Sequence, residues 1–217
     1  QGAAVVIDPK HGGVLGMVGG RIDKGYLDHF NRSTQAKRQP GSVFKPFIYL
    51  SALENGATAC TQLLNQPLVF FIDDTTRWNP QNHDMTTGGL TTLRDGLRRS
   101  LNLISVRAVQ KLTSPRKIAK NAKKFNLSTY IDAVQAIALG VSDVIPIEII
   151  SAYATIANNG IYTKEFEDGT IMTVTISGNS WRGKTVIKTG LGDAYDNSKA
   201  IYERGIVNGN NLYDESG

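Results

Sequence analysis

Apolar and polar positions divide this chain into a hairpin, a series of helices and a closing set of strands. "AAVVID" is a short β-branched run, "PKHGG" a turn, and "VLGMVGG" a second apolar run, which together predict a β-hairpin at the N-terminus. The polar stretch "RIDKGYLDHFNRSTQAKRQPG" reads as loop, with room for a short helix. Residues 42–54 read as a helix with Ser42 at its start, Pro46 near its first turn and Asn55-Gly56 as its stop. Its apolar residues surround the whole circumference, the pattern of a buried helix. "FFIDDTTRWNPQNHDMTTGGL" is loop-like. Thr92 to about Leu112 is helical in pattern, with a break at Ser100–Asn102. Further helices are predicted for "TSPRKIAKNAKKF", "DAVQAIALG" and "PIEIISAYATIANNG", the first opened by Ser-Pro. After Gly160, "TIMTVTIS", "KTVIKTG" and "KAIYERGIV" are rich in Thr, Val and Ile and read as strands.

This order predicts an α+β fold: an antiparallel sheet built from both chain ends, flanked by helices, with a helical subdomain inserted. The expected organisation is one domain over 1–217, with a sheet lobe from 1–54 and 160–217 and a helical lobe at about 55–159. A composition of 41% hydrophobic and 20% charged residues is that of a folded protein. Cys60 is the only cysteine, which excludes an internal disulfide and a cysteine-based zinc site. It is expected to be a small buried filler. His11, His29 and His83 are too scattered for a metal site, and no cofactor is expected. No apolar run has the length of a membrane span, and the N-terminus lacks the pattern of a signal peptide. Any export signal or membrane anchor is therefore expected in parts absent from this sequence.

The chemistry begins with "SVFK". Ser42 and Lys45 stand at i and i+3, so a helix puts both on one face. A serine needs a base to become a nucleophile. Burial among Phe44, Phe47 and Ile48 disfavours a charged lysine and lowers its pKa, which makes Lys45 a suitable base. Ser100-Leu101-Asn102, between helical segments, can present a hydroxyl to relay a proton and an amide to bind a peptide carbonyl. Lys188-Thr189-Gly190 closes a strand-like run; its cation and hydroxyl suit a substrate carboxylate, and its glycine lets a backbone come close. Each motif alone is weak. Together, S-x-x-K, S-x-N and K-T-G in this order match the signature set of penicillin-binding proteins and class A β-lactamases.

The chain resembles the transpeptidase domain of bifunctional (class A) penicillin-binding proteins over roughly residues 3–163. "VVIDPKHGGVLGMVGG" resembles the family's opening hairpin, "FNRSTQAKRQPGSVFKPFIYLSALENG" the approach to its nucleophile helix, and "WNPQN" its W-x-P-x-N segment. The resemblance weakens after Gly160. Leu191 stands where the family's G-K-T-G-T has a hydroxyl residue. A rival register places the motif at "GKTV", with Lys184 as its lysine and "DAY" nine residues beyond.

The resemblance implies a penicillin-binding protein/β-lactamase-like fold and a serine D,D-transpeptidase acting on the D-Ala-D-Ala end of peptidoglycan stem peptides. It implies Ser42 as nucleophile, Lys45 as base, Ser100 with Lys188 in proton traffic, and Asn102 as carbonyl ligand. Thr189, Gly190, Leu191 and Trp78 would contact substrate, with the backbone N–H groups of Ser42 and Leu191 as the oxyanion hole. β-Lactam antibiotics would acylate Ser42, and the domain would work on the outer face of the bacterial cytoplasmic membrane. Two alternatives stay open. A β-lactamase-like hydrolase needs a base for water; Glu54 and Glu148 are the carboxylates considered, and both fall in helical patterns. A catalytically impaired domain of the same fold is suggested by Leu191 and the unusual C-terminal quarter. Ten Lys and Arg residues between Arg94 and Lys124 are expected to form a solvated helix face, with attraction to anionic envelope polymers or lipid head groups as a secondary reading. The scarcity of aromatics there argues against nucleic-acid binding. Tyr153 is expected in the core.

Overall fold

The computed structural model describes residues 1–21, 30–71, 73–165, 171–177, 180–186, 205–208 and 211–214, with 163–165 and all segments from 171 onward described through their backbone alone. In chain order the elements are β1 (Ala4–Ile7), β2 (Val14–Val18), α1 (Lys45–Leu53), β3 (Gln62–Leu64), β4 (Phe70–Phe71), β5 (Arg77–Trp78) and β6 (Leu90–Thr92). There follow α2 (Leu93–Arg98), α3 (Asn102–Lys111), α4 (Pro115–Lys124), α5 (Pro146–Ala157), β7 (Ile161–Glu165), β8 (Ile171–Ser177), β9 (Ser180–Val186), β10 (Gly205–Asn208) and β11 (Asn211–Asp214). Single 3-10 turns occupy Gly41–Phe44 and Gln135–Leu139.

The chain divides into two compact units, one of residues 1–37, 123–129 and 144–217, the other of 38–122 and 130–143. In the first, β1 and β2 pair antiparallel, and Gly12, at φ +75°, closes their turn. Buried Ser33 donates its hydroxyl to the Val18 carbonyl at 3.1 Å and accepts the Ile147 N–H at 3.0 Å, tying β2 to α5. Strands β7 to β11 form one antiparallel sheet in the order β11-β10-β9-β8-β7. Among the described residues the two chain ends thus build separate ladders rather than one continuous sheet. Helix α5 packs against both β1 and β7.

The second unit holds the helices. Helix α1 buries Phe47, Ile48 and Ala52 completely, packing against α3 and the 135–139 turn. Each large side chain so buried contributes roughly 1.5–3 kcal/mol. This burial is why 38–54 cluster with the helical segments, although the sequence assigns them to the sheet lobe. Buried Asn121 of α4 donates to Ser51 Oγ at 2.9 Å and to Glu54 Oε2 at 2.6 Å, fastening α4 to the end of α1. Helix α2 starts at an N-cap: Thr92 Oγ1 accepts the Asp95 N–H at 3.1 Å and donates to the Asp95 carboxylate at 3.0 Å.

Two expectations change. The helix predicted for "DAVQAIALG" is only the 135–139 turn; so short a segment cannot offset helix nucleation, and the Asp132 N–H goes instead to Ser142 Oγ. The loop from Phe70 carries small ladders, β4 with β5 and β6 with β3. Among the described residues no helix is long and apolar enough to cross a membrane.

Candidate active site

The nucleophile candidate sits on a tightened turn. Pro40-Gly41 leads into the 3-10 turn with Gly41 at φ +58°. The Lys45 N–H donates to the Ser42 carbonyl, so the two residues close one 3-10 loop. Side chains three apart in such a turn eclipse, which stacks Ser42 over Lys45 more directly than an α-helix would. Ser42 is exposed, whereas Lys45, the first residue of α1, is 1% exposed. Pro46 follows within the first turn, where its missing N–H has no partner to lose.

Opposite lies the break between α2 and α3. The Leu101 N–H reaches back to the Gly96 carbonyl at 2.8 Å and the Ser100 N–H to Leu97 at 3.0 Å. These two bonds define a Schellman cap, whose left-handed position normally takes glycine. Here it is Ser100, at φ +55°. The strained backbone turns both oxygens of Ser100 toward the lysine. Asn102 opens α3 directly afterwards.

Lys45 Nζ donates to the Ser100 carbonyl at 2.6 Å, to Ser100 Oγ at 3.0 Å and to Asn102 Oδ1 at 2.7 Å. Lys45 is thus brought together with Ser100 and Asn102 from two sequence-distant points. Among the described residues no hydrogen bond joins Lys45 to the Ser42 hydroxyl; the bonds of its amine run across the helix break to Ser100 and Asn102. Burial lowers the Lys45 pKa from 10.5 to about 8. A neutral amine here donates to the two carbonyl-type oxygens and keeps its lone pair for the Ser100 proton; an ammonium donates all three. The same geometry therefore accommodates both protonation states, as a base that gains and returns a proton requires.

Asn102 is held from its other end, where Nδ2 donates to the Gln81 carbonyl at 2.8 Å. Gly140, at φ +67°, closes the 135–139 turn against the neighbour of Ser42: its carbonyl accepts the Gly41 N–H at 3.2 Å. A Cβ on Gly140 would stand 2.1 Å from the Gly41 oxygen. Neither residue stands out in the sequence; "IALGVSD" carries only a glycine after an apolar run.

Other candidates fall elsewhere. Trp78 is half-buried on β5, its ring 5.0 Å from that of Phe70. Lys188, Thr189, Gly190 and Leu191 lie outside the described residues. The backbone of Lys184 lies in β9, paired with Thr173 of β8. Glu54 follows the end of α1, about 13 Å along the helix axis from Lys45, and its carboxylate engages Asn121. Glu148 accepts the N–H and hydroxyl of Ser128. Both carboxylates are thus tied to structural partners. Tyr153 is 39% exposed and Cys60 is exposed, not buried as expected; the short polar run "NGATACTQ" offers Cys60 no apolar cover.

Comparison with known proteins gives a consistent result. The family described as penicillin binding protein transpeptidase domain matches residues 2–166. Penicillin-binding protein 1A of Pseudomonas aeruginosa is 39% identical over 163 residues, covering 74% of this chain and 19% of that protein. Penicillin-binding protein 2D of Bacillus subtilis is 36% identical over 156 residues, covering 71% of this chain and 22% of its own length. The chain therefore spans about a fifth of these relatives. The crystal structure of penicillin-binding protein 1A from Haemophilus influenzae superposes with a TM-score of 0.68 at 32% identity, over 76% of this chain and 24% of that one. The PonA1 protein of Mycobacterium tuberculosis in complex with penicillin V gives 0.64 at 28%, over 79% and 47%.

Proposed function

Because this chain belongs to the penicillin-binding protein transpeptidase family, we propose that it is a serine D,D-transpeptidase domain that forms an acyl-enzyme on Ser42 with D-Ala-D-Ala stem peptides of peptidoglycan. The observation that carries this reading is the buried Lys45 amine, held by Ser100 and Asn102, on the same turn as an exposed Ser42. Substrate entering over Ser42 excludes water and draws its hydroxyl toward the lysine; catalytic hydrogen bonds commonly tighten only once substrate is bound. Lys45, in its neutral form, takes the Ser42 proton as Oγ attacks the penultimate carbonyl. The C–N bond to the terminal D-Ala then breaks, and Ser100 hands a proton from Lys45 to the leaving amine. An amine of a neighbouring stem peptide resolves the ester. Asn102 and Trp78 contact the substrate backbone.

Lys188-Thr189-Gly190, with the Leu191 amide, would grip the terminal carboxylate and complete the oxyanion hole; a complete K-T-G favours this register over Lys184. The family match ends at residue 166, so support for this part is the motif alone. β-Lactams would acylate Ser42 by the same route. The domain would work outside the cytoplasmic membrane.

The test is incubation with labelled penicillin followed by peptide mass mapping. One label on Ser42 of each chain is expected, lost in Ser42→Ala and slowed in Lys188→Ala but not Lys184→Ala. Rapid release of hydrolysed penicillin would instead establish a hydrolase. A folded parent chain that takes up no label would establish a non-catalytic domain.

A further inference from the structure

Asn102 has two chemically different ends, and its usefulness to Lys45 depends on which faces the lysine. Only the oxygen can accept from an ammonium; the amide nitrogen would set two donors against each other. Polarity is fixed at the opposite end, where Nδ2 meets the carbonyl of Gln81, a group that can only accept. The position of that carbonyl is fixed in turn by the next residue. Asn82 is 3% exposed, and its side chain makes three hydrogen bonds. Nδ2 donates to Asn65 Oδ1 at 2.9 Å and to the Thr86 carbonyl at 2.7 Å. Oδ1 accepts the Leu103 N–H at 3.1 Å, one of the free donors at the start of α3. One buried amide thus clamps the loop to the same helical turn that carries Asn102.

We infer that Asn82 is a positioning residue for the proposed reaction: by docking the 79–86 loop on the start of α3 it places the Gln81 carbonyl so that Asn102 turns its oxygen to Lys45. The inference rests on the proposed function only for its catalytic consequence; the orientation of Asn102 toward the lysine is a property of the resting protein. Among the described residues Lys45 has no charged hydrogen-bond partner to confuse the effect. On the elements packed against α1, Asp95 engages Thr92 and Arg98, Arg107 engages the Gln66 and Pro67 carbonyls, and Arg94, Arg98 and Lys111 are exposed.

Two readouts test this in Asn82→Ala. The first is titration of Lys45 by NMR of isotope-labelled lysine, which needs no substrate. Freed from Gln81, Asn102 no longer offers its oxygen steadily, the ammonium loses an acceptor, and the midpoint moves below about 8. The second is the rate of acylation by labelled penicillin, expected to fall about ten- to a hundred-fold on its high-pH plateau, with one label still taken up per folded chain. A variant whose folded molecules titrate and acylate like the parent, in smaller number, overturns the inference, because a purely structural residue changes only how much protein folds. If Asn82→Ala does not fold, Asn65→Leu and Asn65→Asp decide. The first removes an acceptor of Asn82 and should reproduce the shift; the second keeps that acceptor and should restore the parent values. Identical titration in both overturns the inference. A parent chain that fails to acylate while the Lys45 midpoint still moves refutes the enzymatic reading and supports the positioning role.

Discussion

Two turns converge on Lys45, and both require a left-handed residue. At the entrance to α1 that residue is Gly41, at φ +58°. At the break between α2 and α3 it is Ser100, at φ +55°. Glycine adopts this conformation freely, whereas an L side chain costs about 1–2 kcal/mol. The Gly41 turn only redirects the chain so that the next residue, Ser42, stands exposed. The Ser100 turn must also supply an oxygen, since Ser100 Oγ lies 3.0 Å from Lys45 Nζ. Strain is accepted at the one turn whose side chain touches the lysine, and avoided at the turn whose side chain touches nothing.

The most severe break of this comparison removes the lysine. Lys45→Met keeps the apolar stem and deletes the amine. Acylation by labelled penicillin should fall about 10²- to 10⁴-fold, the usual contribution of general base catalysis. In the parent, the acylation rate should rise with pH through about 8, as the neutral amine becomes populated.

The same substitution sharpens the electrostatic side. Burial holds the folded-state pKa of Lys45 at about 8, below the ordinary 10.5. Below about pH 8 both folded and unfolded chains carry the ammonium, and burial costs stability. Between about 8 and 10.5 the unfolded chain holds the extra proton, so stability rises with pH across that window. The gain is at most about 3 kcal/mol. Urea unfolding of the parent should show it, and Lys45→Met should lose it. A parallel pH dependence in the two proteins would contradict a desolvated lysine.

The glycine turn can be attacked from two sides. Gly41→Ala meets nothing within 4 Å and should cost only the backbone penalty of about 1–2 kcal/mol. Gly140→Ala carries the same penalty and also drives a Cβ into the Gly41 carbonyl at 2.1 Å. A further 1–3 kcal/mol is expected from that overlap. Thermal unfolding should therefore rank Gly140→Ala as the more damaging.

The legibility of these features in the sequence follows their range. Residues whose structural cause is local could be read: the Ser-Pro start of α4, the Asn55-Gly56 stop of α1, and the break at Ser100–Asn102. The burial of Lys45 was legible because apolar residues surround it on all sides of one helix. The 3-10 form of residues 41–44 was not, since the Gly140 carbonyl that receives the Gly41 N–H is about a hundred positions away. The hydrogen-bond partners of Lys45 are not legible for the same reason: spacing within a helix points to Ser42, while the bonds of the resting protein run to residues 55 and 57 positions further along. Strands of two or three residues, such as β4 and β5, are too short to show an alternation of period two. The resemblance to a family singled out Ser100 and Asn102 as part of a site, where the S-x-N motif alone is weak.

The smallest effect separates strain from chemistry at Ser100. Ser100→Ala and Ser100→Gly both delete Oγ, and both leave the backbone carbonyl to accept from Lys45. Their acylation rates should fall together, because each lacks the hydroxyl through which the proposed reaction passes a proton. Their stabilities should part. Alanine keeps the left-handed penalty, while glycine removes it and satisfies the Schellman cap as most helices do. Ser100→Gly should therefore be about 1 kcal/mol more stable than Ser100→Ala by denaturant unfolding. It should match or exceed the parent while being nearly as inactive as the alanine variant. A glycine variant no more stable than the alanine variant would mean that the cap is not strained, and the contrast between Gly41 and Ser100 would carry no energetic meaning. A glycine variant that is stable and inactive would locate the cost of the serine backbone in the chemistry of its hydroxyl.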